Sequence, residues 1–168
     1  IGKANQLVDA PPEVESKTLY TDTPIVQDYI KELAANSFGQ DPNSVTVGEM
    51  SSTTIKNSIA YTKPENHELS MVFQFHHLKT DYKNGEKWSK MPYDFKALRN
   101  ILHTWGQQLD QGGGWQALFW NNHDQPRALN RFGDVGKYRV KSAEMLAAAI
   151  HLSRGTPYIY MGEEIGMT

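Results

Sequence analysis

The chain has 168 residues, 39% hydrophobic and 21% charged, an ordinary globular composition that supports one sizeable core and one domain or a piece of one. Seventeen Lys and Arg against nineteen Asp and Glu leave a formal charge of -2. No excess charge therefore points to nucleic acid or a membrane as partner, and a neutral polar substrate fits better. The absence of cysteine excludes a disulfide framework and thiolate chemistry, and is compatible with a reducing compartment.

Residues 1–10 lack both a basic start and a long apolar run, so they read as neither signal peptide nor membrane span. Ile1 is not Met, and Thr168 follows an apolar stretch with no terminating signal, so both ends read as cuts in a longer protein. Thr23-Pro24 reads as the cap and first position of a helix. Ile25, Tyr29, Ile30 and Leu33 give it an apolar stripe, and Asn36 and Gly39 end it. Val45, Thr46, Val47 and Gly48 form a short β-branched run closing on Glu49, and residues 69–75 form a second; both are expected to be buried strands.

The polar stretch between Phe75 and Asp94, with Asn84-Gly85, two histidines and several lysines, reads as a loop or lid. Asp94 then caps a helix whose apolar positions are Phe95, Leu98, Leu102, Trp105 and Leu109, stopped by Gly112, Gly113 and Gly114. Residues 116–120 are a third apolar run. A helix over residues 138–153, burying Val140, Leu146, Ala149 and Ile150, feeds a fourth strand over 156–160.

Strands alternating with helices predict a parallel α/β sheet, and the periodicity leaves a doubly wound sheet and half of an eight-fold barrel equally open. The placement of polar residues favours the barrel. Glu49, His76-His77, Asn121-Asn122-His123-Asp124 and Glu163-Glu164 each fall just beyond the C-terminal end of an expected strand, the active-site face of a barrel.

Cleaving a glycosidic bond needs one carboxylic acid to protonate the leaving oxygen and one carboxylate to attack or stabilise the anomeric carbon. Glu49 ends a nearly apolar strand, where a low-dielectric edge would favour the protonated form of a general acid. Asp124 has His123 and two asparagines beside it, a polar setting that keeps a carboxylate ionised and places donors on sugar hydroxyls. An acidic residue at a strand end is equally a helix cap or a surface group, and a lone histidine such as His123 is commonly structural. His76-His77 lacks the further partners of a zinc site, and no metal is assigned. Glu163-Glu164, between Gly162 and Gly166, reads as a cap for a following helix or a partner for a cation.

Three blocks carry a family resemblance: Val47-Gly48-Glu49-Met50, then Phe119-Trp120-Asn121-Asn122-His123-Asp124-Gln125-Pro126-Arg127, then Gly155-Thr156-Pro157-Tyr158-Ile159-Tyr160. In order and spacing they resemble the ends of strands five, seven and eight of glycoside hydrolase family 13, the alpha-amylase family. The resemblance implies the second half of a (β/α)8 TIM barrel, with residues 1–168 forming the C-terminal half of the catalytic domain. It implies Glu49 as general acid/base, Asp124 as the transition-state-stabilising carboxylate and His123 as a sugar-binding histidine. The family nucleophile sits in an Arg-x-Asp block at the end of strand four, which this sequence lacks; in relatives that block runs directly into a segment resembling residues 1–8, so the resemblance implies a nucleophile just upstream of Ile1.

Within the family, His76-His77-Leu78-Lys79, Asp81-Tyr82, Asn84-Gly85-Glu86-Lys87-Trp88 and Gly112-Gly113-Gly114-Trp115 resemble the trehalose-6-phosphate hydrolase branch. Oligo-1,6-glucosidases and dextran glucosidases usually have an acidic residue at the position of His76, and dextran glucosidases an aromatic at that of Ser51. Met161 departs from the Gln usual before Gly-Glu-Glu. Lys79, Lys83, Lys87 and Lys90 offer point charges to a phosphomonoester, and Phe75 offers a ring for sugar stacking, although a solvated basic loop and a core phenylalanine explain the same residues.

The resemblance thus implies a retaining α-glucoside hydrolase converting trehalose 6-phosphate, a phosphorylated disaccharide, to glucose and glucose 6-phosphate in the cytoplasm, with no organic cofactor. The alternatives are an oligo-1,6-glucosidase or dextran glucosidase of the same family, or a non-catalytic carbohydrate-binding homologue. The chain alone is expected to be inactive, and to self-associate or stay with its upstream half.

Overall fold

A computed structural model describes residues 21–87 and 91–168. They form a four-stranded parallel sheet in which spatial order follows chain order: β1 (Val47–Glu49), β2 (Met71–Phe73), β3 (Gln116–Leu118) and β4 (Thr156–Pro157). The helices are α1 (Pro24–Asn36), α2 (Ile55–Thr62), α3 (Phe95–Gly112), α4 (Ala128–Phe132) and α5 (Arg139–His151). Each consecutive strand pair is therefore joined by a helical crossover, the connection that parallel pairing demands. Glu49 lies in register with Phe73, and Phe73 with Ala117, so the C-terminal ends of β1, β2 and β3 are level.

α1 starts as expected, with Pro24 in its first turn and Thr23 extended before it, though the Thr23 side chain makes no capping bond. Its expected apolar stripe is not buried: Tyr29 and Leu33 are 52% and 57% exposed, and Ala34 alone is buried. The helix packs chiefly on the 3-10 turn that follows it, Phe38–Gln40, rather than across the sheet. α2 has no counterpart in the apolar pattern. Thr54 caps it by accepting from the Asn57 amide at 3.1 Å, and its buried face is Ser58, Tyr61 and Thr62, which are polar or amphipathic and leave no stripe to read.

α3 follows its sequence signals closely. Asp94 accepts from the Ala97 amide at 2.9 Å; Leu98, Trp105 and Leu109 are buried; Gly113, at φ 75°, donates to the carbonyls of Asp110 and Leu109. The positive φ is what glycine supplies without strain at a helix end. Phe95, in the first turn, is exposed rather than buried. In α5 Leu146 and Ile150 face inward as expected, while Val140 is exposed beside a cavity of about 430 Å³ that α5 shares with Leu129, Tyr158, Ile165 and Met167.

The core is the layer between β2–β4 and α3–α5: Leu78, Leu98, Leu118, Phe119, Trp120, Leu129, Phe132, Leu146 and Ile150, with Phe73 and Tyr158 packed against it. The three residues of β3 are all buried, and Met71 and Val72 of β2 are buried. β1 differs from expectation: it is the outermost strand among the described residues, Val47 and Gly48 are half-buried and Val45 is exposed. β4 is shorter than the expected 156–160; Tyr158 still donates to the Leu118 carbonyl at 2.7 Å before the chain turns at Tyr160.

A polar cluster fastens the N-terminal ends of β3 and β4. The Arg154 guanidinium lies 4.5 Å over the Trp115 ring, pairs with Asp110 at 2.8 Å and donates to the Gly114 carbonyl at 3.0 Å. Gln116 Nε2 donates to the Arg154 carbonyl at 3.0 Å, and Trp115 Nε1 donates to Thr156 Oγ1 at 2.9 Å. Stacked, multiply bonded arginine loses less freedom per bond than a flexible lysine would.

Candidate active site

The segments leaving the C-terminal ends of β1, β2 and β3 carry the residues in question. Glu49 is the last residue of β1 and Asp124 follows β3, so both expected catalytic carboxylates stand at the same end of the sheet. His123 is beside Asp124, its Nε2 3.4 Å from Oδ2, and both side chains are largely exposed. Glu49 was expected at the edge of an apolar core; among the described residues it is exposed, on the outermost strand of the sheet they form.

The asparagines do different work from that expected. Asn121 is buried and its Oδ1 accepts from the Ala128 amide at 3.1 Å, seating the start of α4; Asn122 Oδ1 accepts from the Asp124 amide at 2.9 Å, forming an Asx turn that sets the Asp124 backbone. Both amides thus shape the loop that carries His123 and Asp124.

The 3-10 turn His76–Lys79 lies against the loops on either side of it. His76 Nε2 donates to the Thr53 carbonyl at 2.8 Å, and its ring stacks on Trp105 with centroids 5.2 Å apart. Burial holds this imidazole below its usual range, opposed by the Thr53 bond and assisted by the Lys79 charge. His77 points the other way: Nε2 donates to the Phe119 carbonyl at 2.7 Å, and Gln74 Nε2 donates to Nδ1 at 3.2 Å. A carbonyl can only accept, so His77 is fixed as the neutral Nε2–H tautomer. Burial pushes its pKa down to about 4. The histidine pair therefore braces backbone. Among the described residues no group of three or more His, Cys, Asp or Glu is placed to hold a metal ion.

Phe75 is in the core, edge-on to Phe119 at 4.9 Å between centroids, which favours the packing explanation over sugar stacking. Leu78 and Thr80 are also buried, so the start of the expected loop is anchored rather than free. Lys79 Nζ donates to the Ser51 carbonyl at 2.9 Å, an engagement with the loop after Glu49 that sequence alone did not show. Lys83 and Lys87 are exposed around a turn whose tip, Asn84 and Gly85, has φ of 54° and 81°. Trp88 and Lys90 lie outside the described residues, as do residues 1–8.

Two arginines were not singled out from the sequence. Arg131 holds Asp81 through two bonds, Nε–Oδ2 at 2.9 Å and Nη2–Oδ1 at 2.6 Å, and also donates to Gln125 Oε1 at 3.0 Å and to the Leu78 carbonyl. It ties the lysine-bearing loop to the Asp124 loop. Arg127 donates to the carbonyl of Met161, so the residue that departs from the family pattern is engaged through its backbone. Glu163 accepts from the Tyr160 amide at 3.1 Å and Glu164 from the Gly162 amide at 2.6 Å, which agrees with a structural use of the pair. Burial raises the Glu163 carboxyl above its usual range, against the pull of the Tyr160 amide and Arg127.

Over residues 1–168 the sequence matches the family described as Alpha amylase, catalytic domain. The chain belongs to the alpha-amylase family. Trehalose-6-phosphate hydrolase of Bacillus subtilis (strain 168) is 56% identical over 156 residues, which is 93% of this chain and 28% of that protein. The Escherichia coli (strain K12) trehalose-6-phosphate hydrolase is 48% identical, covering 92% and 28%, and the oligo-1,6-glucosidase of Parageobacillus thermoglucosidasius is 44% identical, covering 100% and 30%. A crystal structure of Bacillus licheniformis trehalose-6-phosphate hydrolase superposes with a TM-score of 0.89 at 56% identity, over 94% of this chain and 28% of that one.

The chain spans 28% to 30% of the length of these curated relatives, and its parallel sheet is part of the (β/α)8 barrel of this hydrolase family. No helix among the described residues is long and apolar enough to cross a membrane.

Proposed function

We propose that residues 1–168 are the C-terminal half of the catalytic barrel of a retaining α-glucoside hydrolase that converts trehalose 6-phosphate to glucose and glucose 6-phosphate. Glu49 protonates the departing oxygen as the nucleophile attacks, then removes a proton from the water that resolves the glycosyl intermediate. Asp124 stabilises the positive charge that develops at the anomeric carbon, and His123 binds the sugar held there. The nucleophile lies upstream of Ile1. The substrate is a phosphorylated disaccharide, no organic cofactor takes part, neither nucleic acid nor membrane is a partner, and the reaction belongs in the cytoplasm, where phosphorylated sugars are kept.

One observation carries the substrate: 56% identity over 93% of the chain to a trehalose-6-phosphate hydrolase, against 44% over 100% and 50% over 74% to two oligo-1,6-glucosidases. The placement of Glu49, His123 and Asp124 at one end of the sheet supports the reaction class. Lys87, exposed on the loop after β2, is the lysine this reading assigns to the phosphate. The full-length parent protein should release glucose from trehalose 6-phosphate with a higher kcat/KM than from isomaltose. The reverse order would establish the oligo-1,6-glucosidase alternative, and no turnover of either would favour a non-catalytic homologue.

A further inference from the structure

The loop that leaves Glu49 is held by more groups than a surface turn needs. It begins with the Met50 amide donating to the Phe73 carbonyl at 2.9 Å, and closes with the Thr53 amide on the Met50 carbonyl at 3.2 Å. Thr53 is buried, and its hydroxyl donates to Asp22 Oδ1 at 3.1 Å. Two side chains of the next strand's loop then grip its carbonyls, His76 at Thr53 and Lys79 at Ser51. The His76 ring has little freedom to leave, because it stacks on the buried Trp105 of α3.

We infer that His76, assisted by Lys79, is a positioning residue for Glu49: by fixing the carbonyls two and four residues beyond it, the pair sets where the Glu49 carboxyl stands. This inference rests on the proposed role of Glu49 as acid/base. Consecutive Cα atoms are about 3.8 Å apart, so Ser51 and Thr53 lie within four peptide units of Glu49, and holding their carbonyls restricts the few φ and ψ angles through which the end of β1 can move. A misplacement of about 1 Å in a reacting group costs on the order of 100-fold in rate.

The test uses the full-length parent enzyme and substrates that differ in how much they need a proton at the departing oxygen. His76→Phe keeps a ring on Trp105 and removes the donor, His76→Gln keeps a donor, and Lys79→Met cuts the second grip. With trehalose 6-phosphate, His76→Phe should lose about 10- to 100-fold in kcat/KM with KM within about threefold, and with the 6-phosphate of p-nitrophenyl α-glucoside, whose leaving group needs no acid, it should lose less than about threefold in kcat/KM, which reports the first step and not the later one in which Glu49 serves as base. His76→Gln should recover most of the difference, and Lys79→Met should show the same leaving-group dependence in weaker form, which holds the test open if His76→Phe does not fold.

Equal losses on both substrates, or a loss confined to KM, would overturn the inference. A wild type that ignores trehalose 6-phosphate but cleaves aryl α-glucosides would defeat the substrate proposal alone. The same comparison, made between methyl and p-nitrophenyl α-glucoside, would then decide the role of His76. A wild type that cleaves none of these glucosides would overturn both, since no acid would need positioning.

Discussion

His77 donates its Nε2 hydrogen to the backbone carbonyl of Phe119 at 2.7 Å, which joins the loop after β2 to the loop that carries Asp124. The ring is buried among Phe119 and Trp120 and is fully committed, with Nδ1 accepting from Gln74.

The pH dependence of stability follows from that burial. With the folded pKa at about 4 against an ordinary 6.5, the unfolded chain binds the extra proton first as pH falls. His77 therefore contributes stability that is fully present above about pH 6.5 and is lost progressively down to about pH 4, on the order of 3 kcal/mol in total. Urea denaturation at pH 7.5 and pH 5 should show about 2 kcal/mol of this loss, and His77→Gln, which cannot titrate, should flatten it at the cost of lower stability at pH 7.5. An unchanged slope in the variant would refute the assignment.

Arg131 and Asp81 form a bidentate pair with side chains only 7% and 14% exposed. Removing one partner strands the other charge away from water, so Arg131→Met or Asp81→Leu alone should destabilise by about 3–5 kcal/mol. The double replacement should cost clearly less than the sum, measured as a coupling energy in a double-mutant cycle. Simple additivity would mean that the pair is already solvated.

Gly155 has φ 146°, and a Cβ there would stand 2.8 Å from the Gln116 carbonyl oxygen. Both the backbone angle and the contact oppose a side chain, and the obstacle is backbone that cannot rotate aside. Gly155→Ala should lower stability by about 2 kcal/mol or more, read as a fall in midpoint of thermal unfolding. Gly106, where a Cβ would meet nothing within 4 Å, is the matched control and should tolerate alanine.

Two lysines of the same loop should behave differently in the full-length parent. Lys87→Ala should weaken trehalose 6-phosphate and leave an unphosphorylated glucoside nearly unchanged, by about 1–2 kcal/mol of selectivity. Lys79→Ala should reduce turnover of both, because its ammonium serves the Ser51 carbonyl. Equal losses on both substrates for Lys87→Ala would remove that lysine from phosphate recognition.

The 168-residue chain by itself should release no glucose from trehalose 6-phosphate, for want of a nucleophile to form the covalent intermediate. Among the described residues β1 and β4 each have one unpaired edge, and Ile159, Met161 and Ile165 are exposed, so the chain should also self-associate or bind its upstream half. Activity assays with a parallel measurement of mass in solution check both statements; turnover by a homogeneous monomer would defeat them.

What the sequence disclosed divides along physical lines. α3 was legible end to end because a capping aspartate, an apolar stripe and a terminating glycine all agree. The strand-end motifs were legible because family chemistry fixes them. α2 was hidden because its buried face is Ser58, Tyr61 and Thr62, whose burial depends on partners distant in sequence. Tyr61, for example, donates to Asp22 Oδ1 at 3.0 Å across 39 residues. The same reason concealed the engagement of Lys79 by Ser51 and the two-loop grip of Arg131. For Gln74 a clue was available: a polar residue inside the apolar run 69–75 needs a buried partner, and His77 is that partner.

The fastening of Arg154, Trp115, Asp110, Gln116 and Thr156 sits at the opposite end of the strands from Glu49 and Asp124. Shape is thus maintained by one rim of the sheet, while the proposed chemistry falls to the other. Lineages can rewrite the loops that face the substrate, and so trade one sugar for another, without drawing on the interactions that keep the strands in line. Those rewrites can then accumulate in small viable increments, which gives so many glucoside specificities a route through a single scaffold.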